Sequence, residues 1–177
     1  NITVETWVKL DHMGKMGSES TFFSRGANSL PKVGTSSSNT ARLYGGSSSK
    51  ALNGNTTLTT GRWYHLAYTY NNSTGATKIY VDGKLDASAT IDTGIMVSDV
   101  SASMIGAQQE GNRAMDGVMG KISIWNHELT QAEIRTLMFM TGAEMQADDT
   151  NFPDATANDC KFFYNFDEGT GSTIADS

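Results

Sequence analysis

Between Met115 and Met138 the chain reads MDGVMGKISIWNHELTQAEIRTLM, a strand pattern running into one short capped helix. Ile122 and Ile124 alternate ahead of Trp125 and Asn126, as a half-buried strand requires. Asp116-Gly117 reads as a turn dipeptide before it. Thr130 and Glu133 then have the spacing of a capping box, in which the hydroxyl accepts from an early helical N–H and the carboxylate reaches back to the cap. Ile134, Leu137 and Met138 fall on one helical face. The spacing predicts a helix over 131–140. A single capped helix in a chain otherwise patterned as strands restricts the fold to a β architecture with one helical cover.

The rest of the sequence agrees. Ile2, Val4, Thr6 and Val8 alternate with Thr3, Glu5, Trp7 and Lys9, predicting a half-buried strand over 2–10. Strands are also predicted at 21–24, 41–44, 50–52, 62–71, 77–81, 84–90, 101–107 and 161–166. Asp82-Gly83 supplies the type I′ turn between two of them, since both central positions need positive φ. Short strands at regular spacing with glycine turns specify an all-β, two-sheet antiparallel sandwich. At 177 residues the chain is long enough for one domain with a substantial core, expected over 1–142. A polar connector (143–159) and a C-terminal strand segment (160–177) follow.

Four segments in the same order resemble the laminin-G-like, concanavalin A-type jelly rolls, a group that includes pentraxins. They are Thr3-Val4-Glu5-Thr6-Trp7-Val8-Lys9, Gly61-Arg62-Trp63-Tyr64-His65-Leu66-Ala67, Lys78-Ile79-Tyr80-Val81-Asp82-Gly83-Lys84, and the Gly120 to Ile134 stretch. The C-terminal Phe166-Asp167-Glu168-Gly169-Thr170-Gly171 is similar to the strand that opens many bacterial members. It either completes this sandwich, the favoured reading, or begins a following repeat. The resemblance implies non-catalytic recognition of carbohydrate or protein by a module of a larger secreted, cell-surface or virion protein. A structural or adhesive module acting through protein contacts is the alternative.

Charge narrows the partners. A formal net charge of −6 provides no general basic surface for nucleic acid, and no apolar run is long enough to insert in a membrane. Cys160 is the only cysteine, so no intrachain disulfide forms, and it is expected as a buried small hydrophobe. That points to a bacterial or viral source rather than an animal secreted domain.

Glycoside hydrolysis needs two carboxylates about 5 Å apart or somewhat wider, and the E-x-D strand pattern that would supply them does not occur. A catalytic role is therefore not expected. His65 is expected to pack within its strand and donate one ring hydrogen, while His12 and His127 fall in loops. Calcium is the metal the resemblance implies, since it takes about six to eight oxygens gathered on loops. The candidate ligands are Gln108, Glu110 and Asp116, in a stretch similar to the pentraxin calcium loop. Against this, Gly120-Lys121 stands where many bacterial relatives carry an acidic pair.

Glycan binding requires an exposed aromatic face with polar neighbours. Trp7, Trp63 and Trp125 lie within strands and are assigned to the core. Tyr44 and Tyr70 lie nearer loops and are the candidate platforms, with Asn28 and Asn112 as polar contacts. The expected binding rim is built from loop 27–55 and loop 106–116.

Overall fold

The computed structural model describes residues 1–13, 19–25, 32–45, 50–94, 103–108, 113–141, 144 and 159–166. Eleven strands and one helix are present among them. In chain order they are β1 (Ile2–His12), β2 (Thr21–Arg25), β3 (Lys32–Thr35), β4 (Thr40–Tyr44), β5 (Ala51–Thr57), β6 (Trp63–Tyr70), β7 (Ala76–Val81), β8 (Lys84–Thr90), β9 (Ser103–Ile105), β10 (Asp116–Trp125), α1 (Gln131–Leu137) and β11 (Cys160–Tyr164). A six-stranded sheet runs β11-β10-β1-β6-β7-β8, and a five-stranded sheet runs β5-β4-β3-β2-β9. Every pairing between these strands is antiparallel, giving the expected two-sheet sandwich.

The main core lies between the sheets. Val4, Val8, Leu66, Tyr68, Ile79 and Ile122 face Phe22, Val33 and Leu43 in one buried cluster. At one edge Asp86 of β8 ties the sheets together. Its carboxylate accepts from the Asn55 and Thr56 amides of β5 at 2.8 and 3.1 Å, and from the Thr56 hydroxyl at 2.6 Å.

β1 departs from the alternating expectation, because both its faces are buried from Ile2 to Thr6. The cause is α1, which lies over the outer face of the six-stranded sheet. Ile134 and Leu137 pack there with Trp125, Leu129, Ala67, Tyr80 and Phe163 in a second apolar cluster. The capping box forms as its sequence specifies: Thr130 N–H donates to Glu133 Oε2 at 2.6 Å, and Glu133 N–H donates to Thr130 Oγ1 at 3.3 Å. Gln131 and Arg135 donate to the Gly83 carbonyl at 2.9 and 2.8 Å, which fixes the helix to the β7–β8 turn. Asp82 and Gly83 in that turn have φ of 50° and 69°, as a type I′ turn demands.

Four local expectations are corrected. The helix stops at Leu137 rather than reaching 140, because side chains of the sheet take its last carbonyls. Lys121 Nζ donates to the Leu137 and Met140 carbonyls, and Trp7 Nε1 donates to the Met138 carbonyl at 3.0 Å. Asp116-Gly117 is not a turn but the start of β10, paired with His12 and Leu10 at a register shift. Gly117 has φ of 151° there, and a Cβ would stand 2.2 Å from the Lys9 carbonyl oxygen. His12 ends β1 rather than sitting in a loop, and Cys160 is half-buried at the start of the edge strand rather than buried.

Candidate functional site

The described parts of 27–55 are not a loop. They are β3, β4 and β5, and they present a polar stripe on the outer face of the five-stranded sheet. Alternation dictates this: Val33, Ala41 and Leu43 point into the core, so Lys32, Gly34, Arg42 and Tyr44 point out. Register then places Lys32 opposite Tyr44, Gly34 opposite Arg42, and Arg42 opposite the exposed Asn53.

Tyr44 forms the centre of this stripe. Its half-buried ring has Lys32 Nζ 4.1 Å from the centroid and the Arg42 guanidinium 5.2 Å away. Lys32 Nζ also donates to Gln108 Oε1 at 3.4 Å. The Glu19–Ser20 segment crosses close to β3, where a Cβ on Gly34 would stand 1.9 Å from the Ser20 carbonyl oxygen. Thr35 N–H donates to that oxygen at 2.8 Å. Glu19 is thereby held between two guanidinium groups, paired with Arg42 through one oxygen and with Arg113 at 2.6 Å through the other. Burial, with the nearby Arg113 charge, pushes the Lys32 ammonium down to about 8. Glu19, Lys32, Gly34, Arg42 and Tyr44 line a depression that encloses only about 10 Å³. A ligand would lie across this surface, not inside it.

The other predicted residues are placed differently. Tyr70 is 1% exposed and its hydroxyl donates to the Asp92 carbonyl at 2.8 Å, so it is a core residue with no face for a ligand. Asn28, Asn112 and Glu110 lie outside the described residues. Gln108 reaches the Tyr44 stripe through Lys32, whereas Asp116 lies at the β1–β10 end with His12 Nδ1 2.9 Å from its Oδ2. The two described members of the calcium set therefore do not fit a cation cradle: one amide oxygen already accepts from an ammonium, and the carboxylate is paired elsewhere. Among the described residues, no three His, Cys, Asp or Glu side chains converge as a metal site.

Sequence reasoning missed Glu19, Lys32, Arg42 and Arg113. The available signal was the alternation of Arg42 and Tyr44 around Leu43, which puts a cation and an aromatic ring on one face.

On the opposite sheet, Trp125 is fully buried as expected, but Trp63 is 41% exposed. With Trp7, Gly120, Met138 and Phe139 it lines an open cleft of about 290 Å³. Gly120 lacks a side chain where a Cβ would stand 3.5 Å from the Trp63 indole and 3.5 Å from the Trp7 Cβ. Beneath α1, His65 forms the expected packed contact, its Nε2 hydrogen-bonded to the buried Glu5 carboxylate. Ser123 Oγ donates to the other Glu5 oxygen at 2.9 Å and accepts from Trp125 Nε1 at 2.7 Å.

A family model described as the concanavalin A-like lectin/glucanases superfamily matches residues 1–135. The chain belongs to this superfamily. A candidate carbohydrate-binding protein from Bacteroides ovatus superposes with a TM-score of 0.73 at 23% identity, covering 99% of this chain and 49% of that one. Domain 4 of AbnA, an extracellular GH43 arabinanase from Geobacillus stearothermophilus solved with arabinotriose, superposes with a TM-score of 0.59 at 23% identity. That match covers 77% of this chain and 65% of the other. In sequence, 85 residues are 29% identical to the sushi, von Willebrand factor type A, EGF and pentraxin domain-containing protein 1 of Rattus norvegicus. The match takes in 44% of this superfamily member but only 2% of the rat protein. No helix among its described residues is long and apolar enough to cross a membrane.

Proposed function

We propose that the chain is a non-catalytic carbohydrate-recognition module that binds saccharide across the open face of the five-stranded sheet. The observation carrying this reading is the Tyr44 ring, presented on an outward sheet face between Lys32 and Arg42 with the Asn53 amide on the neighbouring strand. An aromatic face removes the apolar side of a sugar ring from water, and the flanking donors satisfy its hydroxyls. Carbohydrate-binding relatives of the same fold support it. The module belongs to a larger secreted or surface-displayed protein in this reading.

A glycan array followed by isothermal titration tests the proposal. Binding that Tyr44→Ala weakens about fivefold or more is expected, from roughly 1 kcal/mol of ring contact. Folded protein that ignores every saccharide on the array would overturn it. We assign no calcium to this face, since Gln108 is held by Lys32. Tightening of glycan binding on calcium addition would contradict that assignment.

A second reading, a structural or adhesive module acting through protein contacts, draws on the other sheet, where Trp63 and the 80% exposed Phe139 flank one cleft. Sedimentation tests it: self-association abolished by Trp63→Ser favours it, and a monomer at all concentrations removes the self-assembling version.

A further inference from the structure

The charges around Tyr44 say more about the ligand than its ring does. The chain carries a formal net charge of −6, yet three of its 13 lysines and arginines converge on one stripe around a single carboxylate. Glu19 is shared by Arg42 and Arg113. Lys32 has no carboxylate at ion-pair distance among the described residues, and its partners are the Tyr44 ring and the neutral Gln108 amide. The Arg42 side chain is only 14% exposed, and its Nε is buried without a hydrogen-bond acceptor among the described residues. Half-buried cations with too few acids are unfavourable in the free protein, and a ligand that brings an anion relieves them.

We infer that the saccharide taken by this face bears an anionic group, carboxylate or sulfate, which docks between Lys32 and the Arg42–Glu19–Arg113 cluster while its ring lies on Tyr44. This inference rests on the carbohydrate reading above. Glu19 keeps both guanidinium groups in place when the site is empty, so the cradle is preformed. Arginine supplies planar, paired donors to a carboxylate or sulfate, and Lys32 adds a point charge at the ring.

Titration of the intact chain with a uronic-acid oligosaccharide, its neutral methyl ester and a sulfated oligosaccharide tests this. The acid or the sulfate should bind about tenfold or more tighter than the ester, one or two charge-assisted hydrogen bonds at the usual strength. The preferred arm identifies the anion, and its affinity should fall with added salt. Lys32→Gln and Arg113→Gln, each checked for an unchanged melting transition, should both shrink the preference of the favoured anionic sugar over the ester. Equal affinity for acid, sulfate and ester overturns the inference and leaves the carbohydrate reading standing. Binding to none of the three, nor to any arrayed glycan, defeats the reading itself. Tighter binding of a phosphopeptide than of any saccharide would make the face a peptide site and overturn both.

Discussion

Lys121 Nζ lies 3.8 Å from Glu5 Oε1, and both side chains are buried beneath α1. The lysine joins two structures that sequence alone keeps apart. Through Glu5 it belongs to the polar layer of β1, β6 and β10, where His65 and Ser123 complete the carboxylate's partners. Through the Leu137 and Met140 carbonyls it neutralises the negative end of the helix. Lys121 therefore has a structural use at this position.

Replacing Lys121 should therefore be expensive. Lys121→Met leaves the Glu5 charge with less compensation and the last helical carbonyls without a donor. Breaking a buried pair costs about 3–5 kcal/mol. Urea denaturation should show a loss of that order, and a loss under about 1 kcal/mol would mean that the pair and the cap are incidental.

Acid sensitivity should follow from the same layer. Burial alone pushes the Glu5 carboxyl up, but the His65 ring, Lys121 and the Ser123 hydroxyl outweigh it and hold the group below its usual 4.5. Glu128 is also lowered: burial opposes ionisation, while hydrogen bonds from Lys78 and Asn71 outweigh it. A depressed carboxylate binds fewer protons when folded than when unfolded. Its contribution is thus complete above about 4.5 and is lost as pH falls through the lower folded value. Stability measured from pH 6 downward should be level to about 4.5 and then decline. In Glu5→Gln the decline should be shallower, from a lower plateau.

The two sheets differ in how much of them could be read beforehand. β7, β8 and the turn between them are almost fully specified locally, by alternation and by Asp82-Gly83, and the helix by its capping box. β3 was missed because Lys32-Val33-Gly34-Thr35 holds one apolar residue in four, and its pairing with β2 and β4 supplies what its composition does not. The site shared that fate. Tyr44 is identifiable as an aromatic residue near polar stretches, but Glu19 and Arg113, which pair beside the stripe, are separated by 94 positions and are brought together where Thr21 N–H bonds the Arg113 carbonyl. Tyr70 was misjudged for a related reason. It ends its strand, yet alternation from Leu66 and Tyr68 puts it on the core face.

The edge staple should respond to a small change. Asp86→Ala removes the acceptor for the Asn55 and Thr56 amides and the Thr56 hydroxyl, where β5 and β8 meet. Hydrogen bonds to a charged group contribute about 1.5–3 kcal/mol, and the exposure of this edge places the expected loss near the lower bound. Hydrogen exchange of the Asn55 and Thr56 amides should quicken well before exchange in β1 or β6. Unchanged protection at both amides would show that the carboxylate does not hold the edge.

Lys32 gives the binding face its own pH signature. Arg113, Arg42 and Glu19 face it, and burial together with the Arg113 charge brings its pKa to about 8, although Glu19 opposes the shift. Only the protonated ammonium attracts an anionic sugar, so affinity for the uronic-acid oligosaccharide should be level below pH 7 and fall as pH rises through about 8. Lys32→Arg retains the charge to high pH and should abolish the inflection, although the guanidinium's different reach alters the affinity itself. Bound acid favours the charged lysine, so saturating ligand should move the inflection upward, and binding at and just above pH 8 should take up protons. Titrations in two buffers of different ionisation enthalpy read that uptake directly. An affinity constant from pH 6 to 9.5, with no proton uptake, would remove Lys32 from contact with the ligand's charge.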